Sequence, residues 1–89
     1  MEQFSGTDEF YAFMDLLGRM LAEAGLTESS RRLHVLIHEV AWTTGSELLG
    51  ELGVELKRIQ ELHDPRLPAE LSEAVSRSLR FVRKYWPDL

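Results

Sequence analysis

The segment LHVLIHEVAW, residues 33–42, contains the pair of side chains best suited to chemistry. His34 and His38 are four residues apart, which places both imidazoles on one face of a helix. Such a pair can chelate a metal ion, but a zinc site needs at least a third protein ligand. Glu39 follows the second histidine, and on a helix it points about 100° away from it. The segment alone therefore supplies too few ligands.

A third metal ligand would have to come from another helix. His63 and Glu23 are the nominal choices, so that His34, His38 and His63 are weak candidates for a metal site. In zinc peptidases with the HExxH pattern a glutamate directly follows the first histidine, whereas Val35 holds that position here. We expect the two histidines to edge a core helix. Metal binding is the alternative, and a pH-sensitive contact is a third reading because histidine titrates near neutrality.

Other catalytic patterns are absent from the sequence. No Glu or Asp is followed three residues later by His, as bundle-type di-iron sites require. The stretch 45–52 has the glycine spacing of a phosphate loop, but Glu51 and Leu52 replace its lysine and hydroxyl residue. Ser30 lies one turn from His34 without a local acid to orient the histidine. The chain has no cysteine, which excludes thiol chemistry and thiolate metal sites. We expect no catalytic residue, no cofactor and no enzymatic activity.

Composition and charge narrow the class of protein further. The 89 residues, 44% hydrophobic and 28% charged, fit one globular domain over residues 1–89. A net charge of −5 repels phosphate backbones, so we expect no nucleic-acid partner. No apolar run approaches the roughly 20 residues that span a bilayer, and MEQFSGTDEF has no basic stretch typical of a signal peptide. We expect a cytoplasmic protein without a membrane partner.

Hydrophobic periodicity predicts four helices, over about residues 8–24, 28–42, 45–62 and 68–85. The short connections favour antiparallel neighbours, so the predicted fold is all-α, a small antiparallel four-helix bundle that dimerisation could complete. The second helix should be the most buried, because its charged sector is narrow. As an alternative, the second and third helices could form one kinked rod.

Helix ends and glycines add local expectations. Thr7 and Thr27 are the predicted N-caps of the first two helices, and Thr44 with Glu47 predicts a capping box on the third. Gly25 should end the first helix in a Schellman motif, and Asp64 with Pro65 predicts a tight turn. The third helix carries Ser46, Gly50 and Gly53 on one face. Each mid-helix glycine costs about 1 kcal/mol against alanine, so we expect another helix to approach this face closely.

Several side chains do not fit the inward stripes of a monomeric bundle. The interface candidates are Trp42, Val54, Tyr11, Leu16, Arg77, Arg80 and Lys84. A contiguous apolar set would mark an interface, whereas scattered apolar residues are ordinary. The basic residues, together with Arg83, are expected on a solvated helix face with a Glu73–Arg77 pair, or against an acidic protein surface.

These observations predict a non-enzymatic protein-interaction module acting by helix-face docking. The partner would be a second copy of the chain or another protein, as for a small regulator or an immunity-type protein that covers its target. The alternative is a metal-binding protein using His34 and His38. A third hypothesis is a ligand cavity between the first, second and fourth helices, near Met14, Met20 and Phe81.

Overall fold

Four helices form the described part of the chain. The computed structural model describes residues 6–40, 42, 44–63 and 67–89, with His63 described by its backbone alone. The helices are α1 (Thr7–Glu23), α2 (Thr27–His38), α3 (Gly45–His63) and α4 (Ala69–Val82). No strand occurs in these ranges. The predicted all-α four-helix bundle is confirmed, and α2 and α3 are separate helices rather than one rod.

The helices pack as a ring in chain order. Helix α1 contacts α2 and α4, and α3 contacts α2 and α4. Among the helical residues just given, no Cα atom of α1 lies within 8 Å of one in α3, and none of α2 lies within 8 Å of one in α4. Every helix therefore has its sequence neighbour beside it, as expected for an antiparallel bundle with short connections.

The core follows the three-and-four spacing that the sequence predicts. In α3 the stripe of Leu49, Leu52, Leu56 and Ile59 is at most 2% exposed. The matching stripes are Phe10, Met14, Leu17 and Leu21 in α1, and Leu71, Val75, Leu79 and Val82 in α4. Burial of each large apolar side chain contributes about 1.5–3 kcal/mol. Phe10 also stacks on Phe81 with ring centroids 4.6 Å apart, which fastens α1 to α4.

Helix α2 is the least buried helix, so the expectation that it is the most buried is wrong. Only Ser29 and Leu33 are buried in α2, compared with four residues in α1 and seven in α4. Leu36 and Ile37 are half-buried. The apolar residues of α2 spread over a wider sector than α1 and α3 cover, so part of that sector borders open grooves.

The helix starts also differ from the sequence prediction. Helices α1 and α2 begin at Thr7 and Thr27 themselves, without a side-chain cap hydrogen bond, so the two predicted N-caps are wrong. The start of α3 agrees better, because the Glu47 amide donates to Thr44 Oγ1 at 3.2 Å.

Two helices end earlier than predicted, whereas the predicted end of α1 is confirmed in its geometry. Helices α2 and α4 end at His38 and Val82, a few residues early. Gly25 has φ of 87°, and the Leu26 amide donates to the Leu21 carbonyl at 2.8 Å, which confirms the Schellman end of α1. The predicted turn at 64–65 lies outside the described residues.

Candidate functional site

The face of α3 that carries Ser46, Gly50 and Gly53 is contacted by residues that follow α4. A Cβ on Gly50 would lie 3.2 Å from Trp86 Cε2, and a Cβ on Gly53 would overlap the Leu89 side chain. The indole N–H of Trp86 donates to the Ser46 backbone oxygen at 2.8 Å. The predicted close approach of another helix is confirmed at Gly53, where a Cβ would lie 2.8 Å from Val82 Cγ1 of α4. The approaching groups include a tryptophan and a leucine beyond the end of α4.

A second tryptophan, Trp42, also has its indole N–H bonded within the chain. The indole N–H of Trp42, in the connection between α2 and α3, donates to the Leu36 backbone oxygen at 2.7 Å. The ring is half-buried and packs against the core. Its only polar atom is thus satisfied within the chain, and the exposed part of the ring is purely apolar.

The two tryptophans border one groove, which we call the tryptophan groove. It has a volume of about 390 Å³ and is lined by Trp42, Glu47, Gly50, Glu51, Val54, Trp86 and Leu89. Val54 is 53% exposed and Trp86 is 42% exposed. Trp42 and Val54, both predicted as interface residues, thus lie on one contiguous surface. Contiguity is the property that distinguishes an interaction surface from scattered exposed apolar residues.

Two carboxylates, Glu47 and Glu51, are the charged groups of the tryptophan groove. Neither forms an ion pair within the described part of the chain. By contrast, Glu55 on the same helix accepts hydrogen bonds from Arg58 at 3.0 and 3.3 Å, which raise the pKa of the Arg58 guanidinium. Among the residues that the structure describes, these two carboxylates therefore carry negative charge that no ion pair offsets.

A second groove adjoins the first between α2 and α3, and shares Glu51 and Val54 with it. It has a volume of about 450 Å³ and is also lined by Glu28, Arg31, Arg32, Val35, Leu36 and Glu55. Its arginines are engaged, because Arg31 and Arg32 lie 3.1 and 3.4 Å from the carboxylate of Glu28. The hydrogen bond from Arg31 lowers the pKa of Glu28. The two guanidinium groups share this one carboxylate, so one positive charge of the second groove remains beside Glu51.

The other two apolar interface candidates lie away from the tryptophan groove. Tyr11 on α1 is half-buried and meets the edge of Phe10 with ring centroids 5.9 Å apart. Burial, followed by the fields of Tyr85 and Asp8, raises the pKa of the Tyr11 phenol. Leu16, also on α1, is 42% exposed and does not line the groove.

The basic residues of α4 engage groups of the same chain. The Arg77 guanidinium lies 5.0 Å from the centroid of the Phe13 ring, a cation–π distance. Arg80 lies 3.4 Å from the carboxylate of Glu73. The predicted Glu73–Arg77 pair is wrong, since Arg77 instead turns towards the aromatic ring on α1.

Two further cations at the end of α4 behave in the same way. Lys84 Nζ lies 5.6 Å from the centroid of the Phe81 ring. Arg83 Nε donates to the Leu89 backbone oxygen at 2.6 Å and so fixes the segment that carries Trp86. Arg77, Arg80, Arg83 and Lys84 thus each contact a group of the same chain.

The histidine pair lines a separate cleft between α1 and α2, which we call the histidine cleft. Its volume is about 310 Å³, and its lining is Met14, Asp15, Gly18, Arg19, Ala22, Ser30, His34 and His38. His38 Nε2 lies 2.7 Å from Asp15 Oδ1, and the two imidazole centroids are 4.7 Å apart. His34 Nε2 lies 3.7 Å from Glu39 Oε2. Each histidine thus faces a different carboxylate.

Sequence reasoning missed Asp15 as the acid beside the histidine pair. Glu23 does not line the cleft, and the side chain of His63 lies outside the described residues. No three metal-binding side chains converge in the described ranges. Ser30 makes no hydrogen bond to either imidazole there. The available signal was the hairpin of the first two helices, in which Asp15 stands ten residues before Gly25 and His38 thirteen residues after it.

No protein-family model, curated protein or solved structure matches this chain. None of the four helices, over the residues described, combines the length and apolar character needed to cross a membrane.

Proposed function

We propose that this chain is a non-enzymatic protein-interaction module that docks a helix of a partner molecule in the tryptophan groove. The observation that carries the proposal is the contiguity of Trp42, Val54 and Trp86 around one open groove. Tryptophan is enriched among the residues that dominate binding energy at interfaces. A helix laid in an apolar groove is a recurring mode of recognition, in which side chains one turn apart act as anchors.

The tryptophans are already held in fixed positions before any partner binds. Trp42 is hydrogen-bonded to the Leu36 carbonyl and Trp86 to the Ser46 carbonyl. Each side chain that must be immobilised on binding costs about 0.5–1.5 kcal/mol, and these two are restrained beforehand. Their exposed ring surfaces can therefore contribute to affinity with little ordering cost.

The proposal places this interaction in the cytoplasm. A chain without cysteine gains nothing from an oxidising compartment and suits a reducing one. The partner is a second copy of the chain or a different protein, and both fit the same kind of contact. No catalytic role is assigned to the groove, since its polar side chains are two carboxylates on the rim.

Photo-crosslinking from a single position tests the proposal. A benzophenone side chain replaces Val54 in one variant and Leu62 in the other, in protein produced in its native cells. Both residues are exposed and lie on α3, at 53% and 58% exposure, but Leu62 does not line the groove. We expect a discrete adduct from position 54, with the mass of two chains or of the chain plus a partner. Equal labelling at both positions, or none at position 54, would refute the proposal.

A further inference from the structure

We infer that the occupant of the tryptophan groove is an amphipathic helix of another protein, whose apolar face is flanked by lysine or arginine. This inference rests on the proposed function and adds the chemistry of the partner. It depends on Glu47 and Glu51, which form no ion pair with any residue that the structure describes, beside the exposed ring of Trp86 and the side chain of Val54.

The two carboxylates form a row along the groove. Glu47 and Glu51 are four residues apart on α3, so they stand one turn apart on the same side of the helix, with a rise of about 6 Å between them. Cations spaced three or four residues apart on a docked helix repeat at the same interval. A basic flank on the partner can therefore face both carboxylates while its apolar residues enter the groove.

A second copy of this chain fits the groove less well. A symmetric dimer buries the same patch on both copies, so it brings Glu47 and Glu51 towards their own counterparts. Like charges facing each other across an interface oppose association. Arg80 on α4 already pairs with Glu73 of its own chain, so it is less available to offset this repulsion.

Two synthetic peptides test the charge preference directly. Both are helices of about 18 residues, or five turns, with the same leucine stripe, and they differ only in carrying lysine or glutamate beside that stripe. The dissociation constants are measured by isothermal titration calorimetry with the full chain. At low salt we expect the lysine peptide to bind at least about tenfold more tightly, and the difference to shrink as salt screens the charges.

Two matched pairs of variants locate the binding. The E47Q/E51Q variant should weaken binding of the lysine peptide about fivefold, the effect of two exposed ion pairs. The E23Q/E61Q variant changes net charge equally at exposed sites outside the groove and should leave binding unchanged. V54S should weaken both peptides, whereas L62S should weaken neither. Circular dichroism establishes that all four variants are folded.

The outcomes separate this inference from the proposed function. If both peptides bind equally and V54S weakens both, the groove docks helices and the basic partner is wrong. If neither peptide binds and native mass spectrometry finds a dimer that V54S disrupts, the occupant is a second copy and the inference is overturned. If neither peptide binds and the chain stays monomeric, the inference is overturned, and the crosslink from position 54 then decides the proposed function.

Discussion

The indole N–H of Trp86 donates a 2.8 Å hydrogen bond to the backbone oxygen of Ser46, forty residues earlier in the chain. Side chains on a helix lean towards the preceding turn, so the side chain at position i+4 partly covers the carbonyl oxygen of residue i. At that position stands Gly50, and its missing Cβ leaves room for the indole ring at 3.2 Å. Gly50 lowers the helix propensity of α3, but it also lets Trp86 pack against α3 and form one wall of the tryptophan groove.

Replacing Trp86 with phenylalanine should lower the free energy of unfolding by about 1 kcal/mol, because the hydrogen bond to Ser46 is lost while most of the ring contact remains. Urea denaturation followed by circular dichroism measures the change. Y85F is the control, since Tyr85 is similarly exposed, at 49%, and contacts Phe81 through its ring. Equal stability of W86F and the unmodified chain would contradict the structural role of the indole N–H.

Alanine at Gly53 and alanine at Gly18 should change stability in opposite directions. A Cβ on Gly53 would lie 2.8 Å from Cγ1 of Val82, a fully buried β-branched side chain that cannot turn aside. G53A should therefore destabilise the chain by about 1–3 kcal/mol despite its better helix propensity. At Gly18 the nearest atom is Ser30 Oγ at 3.8 Å, an ordinary contact, so G18A should stabilise by up to about 1 kcal/mol. Thermal unfolding reports both signs, and destabilisation by G18A would contradict this account.

The parts of the fold that depend on periodicity could be predicted from the sequence. Leu49, Leu52, Leu56 and Ile59 repeat at three and four residues, and all are buried. Such a stripe can be satisfied only by a helix with one covered face, so the pattern determines both the element and its orientation. Gly50 and Gly53 were equally informative, because their low helix propensity predicted a closely packed neighbour on that face.

What depends on contacts between helices could not be read from periodicity. The prediction that α2 is the most buried helix was wrong, because the apolar character of a residue such as Ile37 does not show whether a neighbouring helix covers it. The predicted Glu73–Arg77 ion pair was wrong, because the Arg77 guanidinium lies over the Phe13 ring on α1. Both errors concern contacts between helices, which the spacing of residues within one helix does not report.

Only part of the tryptophan groove could be predicted from the sequence, because its other part depends on a contact between α3 and the segment after α4. Trp42 and Val54 stood out because they lie off the apolar stripes. Trp86 was not among the interface candidates. It follows the predicted fourth helix, but that helix ends at Val82, and the Trp86 ring turns onto α3. A helix end moved by a few residues thus decides whether a tryptophan belongs to the core or to the rim of a groove.

Tag-free protein should contain much less than one zinc ion per chain, by elemental analysis. Zinc sites in proteins use at least three side-chain ligands. Here His38 is paired with Asp15 at 2.7 Å, and His34 faces Glu39 at 3.7 Å, so the donors do not share a point. The H34A/H38A variant should give the same metal content. One zinc per chain, lost in that variant, would establish the metal-binding alternative.

Stability should fall in alkaline solution partly because of Tyr11. Burial raises the pKa of its phenol in the folded chain, so above the ordinary pKa the unfolded chain loses this proton while the folded chain retains it. The unfolded state then binds fewer protons, and the free energy of unfolding falls as pH rises towards the folded-state pKa. Urea denaturation of the unmodified chain and Y11F, compared between about pH 8 and about pH 11, isolates this contribution. The stability of the unmodified chain relative to Y11F should decrease over that range, and parallel pH profiles would show that the Tyr11 phenol is as well solvated in the folded chain as in the unfolded one.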